Sequence, residues 1–137
     1  MFSIGSLSKM TGVKVPTIRY YEQVGLLPEP DRSKGNQRRY SGQAVERLGF
    51  IRHARNLGFS VEAIRDLLEL SDHPDWSCQD ATRIAREQLF AVRARIVKLK
   101  RLESELDRIA SGCSADAASQ CYVLKALADH SLCENVH

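Results

Sequence analysis

Residues 3–25 read SIGSLSKMTGVKVPTIRYYEQVG, and this stretch decides the fold. Ser3 stands ahead of Ile4, Leu7, Ser8 and Met10, a short helical segment that ends at Gly12, where glycine can adopt the left-handed conformation of a tight turn. Val15-Pro16-Thr17 opens a second helix with proline in its first turn, where the missing N–H costs no hydrogen bond. Ile18, Tyr21 and Val24 mark the apolar side of that helix, and Gly25 ends it. Two short helices joined by a Gly-containing turn form the helix-turn-helix pattern, although any helical hairpin can share the spacing.

Downstream, Pro28 and Pro30 prevent a helix, and Lys34-Gly35-Asn36 suits the tip of a hairpin. Arg32, Lys34, Arg38 and Arg39 place four cations within eight residues, the composition of a wing that grips phosphates. From Ser41 the pattern is helical again, with Ala44, Leu48, Ile51, Ala54 and Leu57 on one stripe and Arg47, Arg52 and Arg55 off it. Gly58 stops this helix, and Ser60 is a suitable N-cap for another, whose apolar face is Ile64, Leu67 and Leu68. Residues 71–77 form a polar linker just before Cys78.

Residues 79–110 contain neither Gly nor Pro, which predicts an uninterrupted helix of about 30 residues, or about 45 Å by helical rise. Ala85, Leu89, Val92, Ile96, Leu99, Leu102, Leu106 and Ile109 make a near-heptad stripe with one irregularity at Leu102. So small a chain cannot cover that stripe itself, and a second copy, parallel or antiparallel, is the economical partner. The expectation is a homodimer. Gly112 closes the helix, Cys113 to Cys121 makes a loop, and a short last helix begins at Tyr122.

Composition sets the outer bounds. The 137 residues are within the usual size of one compact domain, and 43% hydrophobic with 27% charged residues is enough for a core. Eight Gly and four Pro leave little room for a strand-rich fold. No apolar run approaches the roughly 20 residues of a membrane helix, and the N-terminus lacks the apolar segment of a signal peptide. A soluble cytoplasmic protein is expected. The net charge of +3 is uneven: residues 1–55 hold ten Lys and Arg against four Asp and Glu. The four cysteines, Cys78, Cys113, Cys121 and Cys133, all fall in the second half. In a cytosolic chain such thiols stay reduced, and neighbouring ones bind metal or do redox work more often than they pair.

Over essentially its whole length the chain resembles the MerR-type transcriptional regulators. The resemblance lies in Ile4-Gly5-Ser6-Leu7-Ser8-Lys9, Thr17-Ile18-Arg19-Tyr20-Tyr21-Glu22, Gly25-Leu26-Leu27, Arg32, Arg38-Arg39-Tyr40 and the run from Phe50 to Ser60. It implies a mainly α fold: a winged helix-turn-helix domain over 1–70, a linker over 71–78, a long antiparallel coiled-coil dimerisation helix over 79–112, and a metal-binding loop and C-terminal helix over 113–137. Carried over by position, Thr17, Arg19 and Tyr20 would face the major groove or its phosphates. Arg32, Arg38 and Tyr40 in the wing, and Arg55 in the second helical pair, would hold flanking phosphates, for which arginine supplies multidentate donors. The plainer alternative for each cation is a solvated surface charge.

The metal-sensing branch of that family places one cysteine at the start of the long helix and two around the loop after it, where Cys78, Cys113 and Cys121 fall. Cys78 and Cys113 bracket the long helix and cannot share an ion within one chain. In the antiparallel dimer the resemblance implies, Cys78 of one chain meets the Cys113–Cys121 loop of the other, giving about one site per subunit. Three thiolates suit soft ions. The family's copper and gold sensors resemble a two-cysteine site without a cysteine at position 78, so a divalent ion is expected: zinc, cadmium, lead or mercury. Zinc prefers four ligands and would draw on His73, His130, Asp75, Cys133 or water. The implied partners are double-stranded promoter DNA and RNA polymerase, with no membrane. Two other readings compete. One is a thiol redox or electrophile sensor on the same fold. The other is a cytosolic zinc or thiol enzyme, for which neither a Cys-x-x-Cys nor a His/Glu pair at hydrolase spacing is present; the chain is expected not to be an enzyme.

Overall fold

Helix boundaries in the N-terminal region follow from side chains able to satisfy exposed backbone groups. A computed structural model describes residues 1–112 and 121–129. Ser3 caps α1 (Ile4–Thr11) by accepting from the Ser6 N–H at 3.1 Å, and Gly12 ends it at φ 74°, its N–H returning to the Ser8 carbonyl. α2 (Val15–Gln23) carries Pro16 in its first turn and runs out at Val24, with Gly25 at φ 83°. Ser41 caps α3 (Gly42–Asn56), and Ser60 caps α4 (Val61–Asp72) by accepting from the Ala63 N–H at 3.1 Å. Each hydroxyl satisfies one of the orphan N–H groups of a first helical turn. α4 runs through Asp72, so Ser71 and Asp72, expected in the linker, are its last residues.

Between α2 and α3 lies a two-stranded antiparallel hairpin, β1 (Asp31–Arg32) and β2 (Arg38–Arg39), in the register Asp31↔Arg39 and Arg32↔Arg38. Its tip is where expected, but the left-handed residue is Asn36, at φ 62°, not Gly35. Asparagine tolerates that conformation better than most side chains, and the Asn36 N–H donates to the Ser33 carbonyl at 2.9 Å. The base of the hairpin is held to the chain's start, because Phe2 and Tyr40 exchange backbone hydrogen bonds of 2.7 and 2.8 Å.

Two compact units make up the chain, Met1–Ala85 and Arg86–His137, with the boundary inside α5 (Gln79–Ser111). The first unit packs α1 on α2 and α3, and α3 on α4. Its core comprises Leu7, Ile18, Leu26, Leu48, Ile51 and Ile64, all fully buried, with Val13, Tyr21, Leu27, Tyr40, Ala54 and Leu68 around them. Leu57, placed by periodicity on the buried stripe of α3, is 55% exposed. It caps the C-terminus of that helix, where the chain turns away at Gly58. The second unit contains most of α5 and the short helix α6 (Tyr122–Ala128).

Candidate functional site

The exposed side of α2 and the hairpin form one face. Arg19 and Tyr20 are exposed on α2 and Thr17 is half-buried. Arg19, Glu22 and Gln23 line a notch of about 260 Å³ whose other walls are Glu29, Pro30, Arg32 and Arg38. Three of the arginines assigned to phosphate from the sequence, Arg19, Arg32 and Arg38, therefore share one concavity, whereas Arg55 does not line it. A guanidinium fork suits a phosphate oxygen pair, and the carboxylates of Glu22 and Glu29 stand in the same notch.

Tyr40 departs from expectation. Its ring is 2% exposed in the core, and its hydroxyl donates to Glu22 Oε1, so it is not presented to a phosphate. Burial, and after it the Glu22 carboxylate, push its hydroxyl well above the ordinary tyrosine range. The same carboxylate lies 3.4 Å from Arg38 Nε. Glu22 thus contacts both wing residues, a role that helix periodicity cannot reveal because Tyr40 is 18 residues away.

Other arginines serve the fold. Arg52 donates to the carbonyl of Thr11 at the end of α1, and Arg65 to that of Val24 at the end of α2. Arg47 Nε donates to the Leu26 carbonyl at 2.8 Å, and its Nη1 meets Asp72 at 3.2 Å. Cations suit the negative ends of helix dipoles and the unpaired carbonyls found there. Arg55 Nη1 donates to the Phe59 carbonyl at 2.8 Å, in the turn before α4. Part of the positive charge of residues 1–55 is thereby spent inside the domain.

Cys78 is exposed where α5 begins, its carbonyl accepting from the Thr82 N–H at 3.0 Å and its Sγ 3.9 Å from Thr82 Oγ1. Cys121 is half-buried at the N-cap of α6. Cys113, Cys133 and His130 lie outside the described residues. On either side of the 113–120 segment, the Tyr122 ring packs against Gly112 so closely that a Cβ there would sit 2.6 Å from Tyr122 Cδ1. Arg108 joins this contact, donating to Tyr122 Oη and pairing with the buried Glu105. His73 is stacked on Trp76 with ring centroids 3.9 Å apart, and its Nδ1 lies 2.8 Å from the Glu69 carbonyl. A carbonyl only accepts, so Nδ1 is the donor in this contact. Among the described residues no three His, Cys, Asp or Glu side chains stand together as a metal site, and no helix is long and apolar enough to cross a membrane.

Comparison with known proteins gives this face a context. The family described as "MerR HTH family regulatory protein" matches residues 2–71, and that described as "MerR, DNA binding" matches residues 45–109. The chain is 42% identical over 130 residues to the HTH-type transcriptional regulator ZntR of Escherichia coli K12, covering 93% of this chain and 92% of that one. It is 41% identical over 113 residues to the mercuric resistance operon regulatory protein of Serratia marcescens, covering 82% and 77%. Among solved structures, the lead(II) complex of the transcription regulator PbrR691 from Ralstonia metallidurans CH34 superposes with a TM-score of 0.80 at 38% identity, over 93% of this chain and 99% of that one. The family models and these relatives cover most of the chain, and the chain belongs to the MerR family of DNA-binding helix-turn-helix transcriptional regulators.

Proposed function

We propose that this regulator is switched by a soft divalent metal ion held between two copies of the chain. The observation that carries the reading is the contact of Tyr122 with Gly112. It joins the chain just before Cys113 to the chain just after Cys121, and so supports a loop whose two cysteines serve one ion. Cys78 is the third thiolate, from the partner chain, because the whole of α5 stands between it and the loop. A thiolate set fits zinc, cadmium, lead and mercury. Relatives named for mercuric resistance or crystallised with lead(II) are in keeping with that chemistry. His73 Nε2, Asp75, Cys133 and His130 are further donors for a four-coordinate ion.

The dimer rests on α5, where Leu89, Val92, Ile96, Leu99 and Leu106 lie exposed along one stripe of a single chain. Covering what remains exposed of each such side chain contributes roughly 1 kcal/mol, so a second α5 is the natural cover. Two heads then address a two-fold symmetric promoter site through Thr17, Arg19, Tyr20, Arg32 and Arg38, with Arg55 toward flanking phosphates. The ion binds one arrangement of the dimer better than the other. That difference shifts the population and is read by RNA polymerase as a change in DNA shape.

The test uses reduced protein and competition titrations with zinc, cadmium, lead and mercury, alongside transcription from the regulated promoter. Cys78→Ser and Cys121→Ser homodimers should each lose tight binding. Mixed dimers of the two variants should recover one intact site, because one chain supplies Cys78 and the other the loop. Mixed dimers that recover nothing overturn the shared site. Induction by oxidants in place of metals overturns the metal reading in favour of a thiol sensor.

A further inference from the structure

Glu22 is one of two acids, with Glu29, in a notch lined by three arginines. Its side chain is 8% exposed, yet both oxygens are engaged by the wing: Tyr40 Oη donates to Oε1, and Arg38 Nε lies 3.4 Å from Oε2. That Nε is buried and out of line for a hydrogen bond, so the ion pair with Glu22 is what compensates it. The wing itself is slight. Two residue pairs join its strands, and an isolated two-stranded hairpin has little stability of its own in water. Its direction therefore depends on its base, where Tyr40 is held by Phe2 through the backbone and by Glu22 through the hydroxyl.

We propose that Glu22 is a positioning residue for DNA binding: it clamps the wing to α2, so that Arg38 meets a phosphate in the notch already aligned with Arg19 and Arg32. The inference rests on reading this face as the DNA-binding one. It makes a prediction of unusual sign. A carboxylate near DNA repels phosphate, so its removal should tighten binding if charge alone mattered. A clamp predicts the reverse, because an unaligned arginine must be ordered when the complex forms.

The probe is a duplex that the wild-type chain recovers from a random-sequence library, with dissociation constants measured across a salt series. Glu22→Gln should bind about fivefold more weakly than wild type. Its salt slope should stay close to that of wild type, because the Arg38 contact still forms once the side chain has been ordered. In an Arg38→Ala background the same substitution should change affinity little, since it acts through Arg38. Tyr40→Phe, which keeps the core ring and removes only the hydroxyl, should weaken binding in the same sense and keeps the test alive if Glu22→Gln unfolds. Equal or tighter binding by Glu22→Gln, or an undiminished effect without Arg38, overturns the positioning role. A wild-type chain that recovers no duplex overturns the reading of the face itself, and the positioning role with it.

Discussion

Residues 1–85 and the long helix beyond them treat their apolar side chains in opposite ways. The first unit buries Leu7, Ile18, Leu26, Leu48, Ile51 and Ile64 completely within one chain. Beyond Ala85, α5 leaves Phe90 77% and Leu99 63% exposed, with Leu89, Val92, Ile96, Val97 and Leu106 exposed around them. The second unit is not without a core, since Ile109, Ala126 and Glu105 are buried near α6. The contrast is between a head that buries its apolar side chains within one chain and a helix that leaves an apolar stripe exposed among the described residues.

That contrast can be broken at either side. The largest effect is expected in the head: Leu48→Ala should cost about 3 kcal/mol in urea unfolding, through lost burial and the cavity left behind. A cost below about 1 kcal/mol would mean that the head does not depend on its own core. On the helix, Leu99→Glu should weaken dimerisation by about 2 kcal/mol, roughly 30-fold in dissociation constant. Sedimentation equilibrium reads this directly, and an unchanged constant would remove the stripe from the interface.

Smaller effects sharpen the picture of the head. Arg52→Ala should cost about 1.5 kcal/mol, because the Thr11 carbonyl loses a charged donor. Ser60→Ala should cost about 1 kcal/mol as the cap on α4 is lost, checked by the same unfolding curves. The smallest effect concerns pH. The Tyr40 proton is held more tightly in the folded state than at the ordinary value of 10.0. Its contribution to stability is therefore full below about pH 10 and is lost as the pH rises above it. Tyr40→Phe should show a shallower alkaline decline than wild type, and parallel curves would count against the burial of this hydroxyl.

How much of this could be read in advance depends on how local each cause is. The caps at Ser3, Ser41 and Ser60 act within three residues, and the stops at Gly12, Gly25 and Gly58 act at a single φ. All were legible. The hairpin tip at Lys34-Gly35-Asn36 was legible too, although spacing does not say that Asn36 is the residue that turns left-handed. The roles of Arg47, Arg52 and Arg65 were not legible. Their acceptor carbonyls lie 21, 41 and 41 residues away, so nothing in the spacing separates them from surface cations. Of the residues lining the notch, composition and resemblance single out Arg19, Arg32 and Arg38, whereas they give Glu22 no role of its own. An acid inside a basic face has a meaning only once its partners are known.

Taken by itself, the sequence determined the order of the helices and most of their ends, the basic head, the unbroken α5 with its apolar stripe, and family membership through motifs spread along the chain. These depend on neighbours within a turn or two, or on residue identity alone. Tertiary structure decided which cations are spent on carbonyls, that Tyr40 turns inward onto Glu22, and that Gly112 meets Tyr122. Those contacts join segments far apart in the chain. They form only when packing of the cores has already brought the segments together, and no local pattern encodes the distance between them.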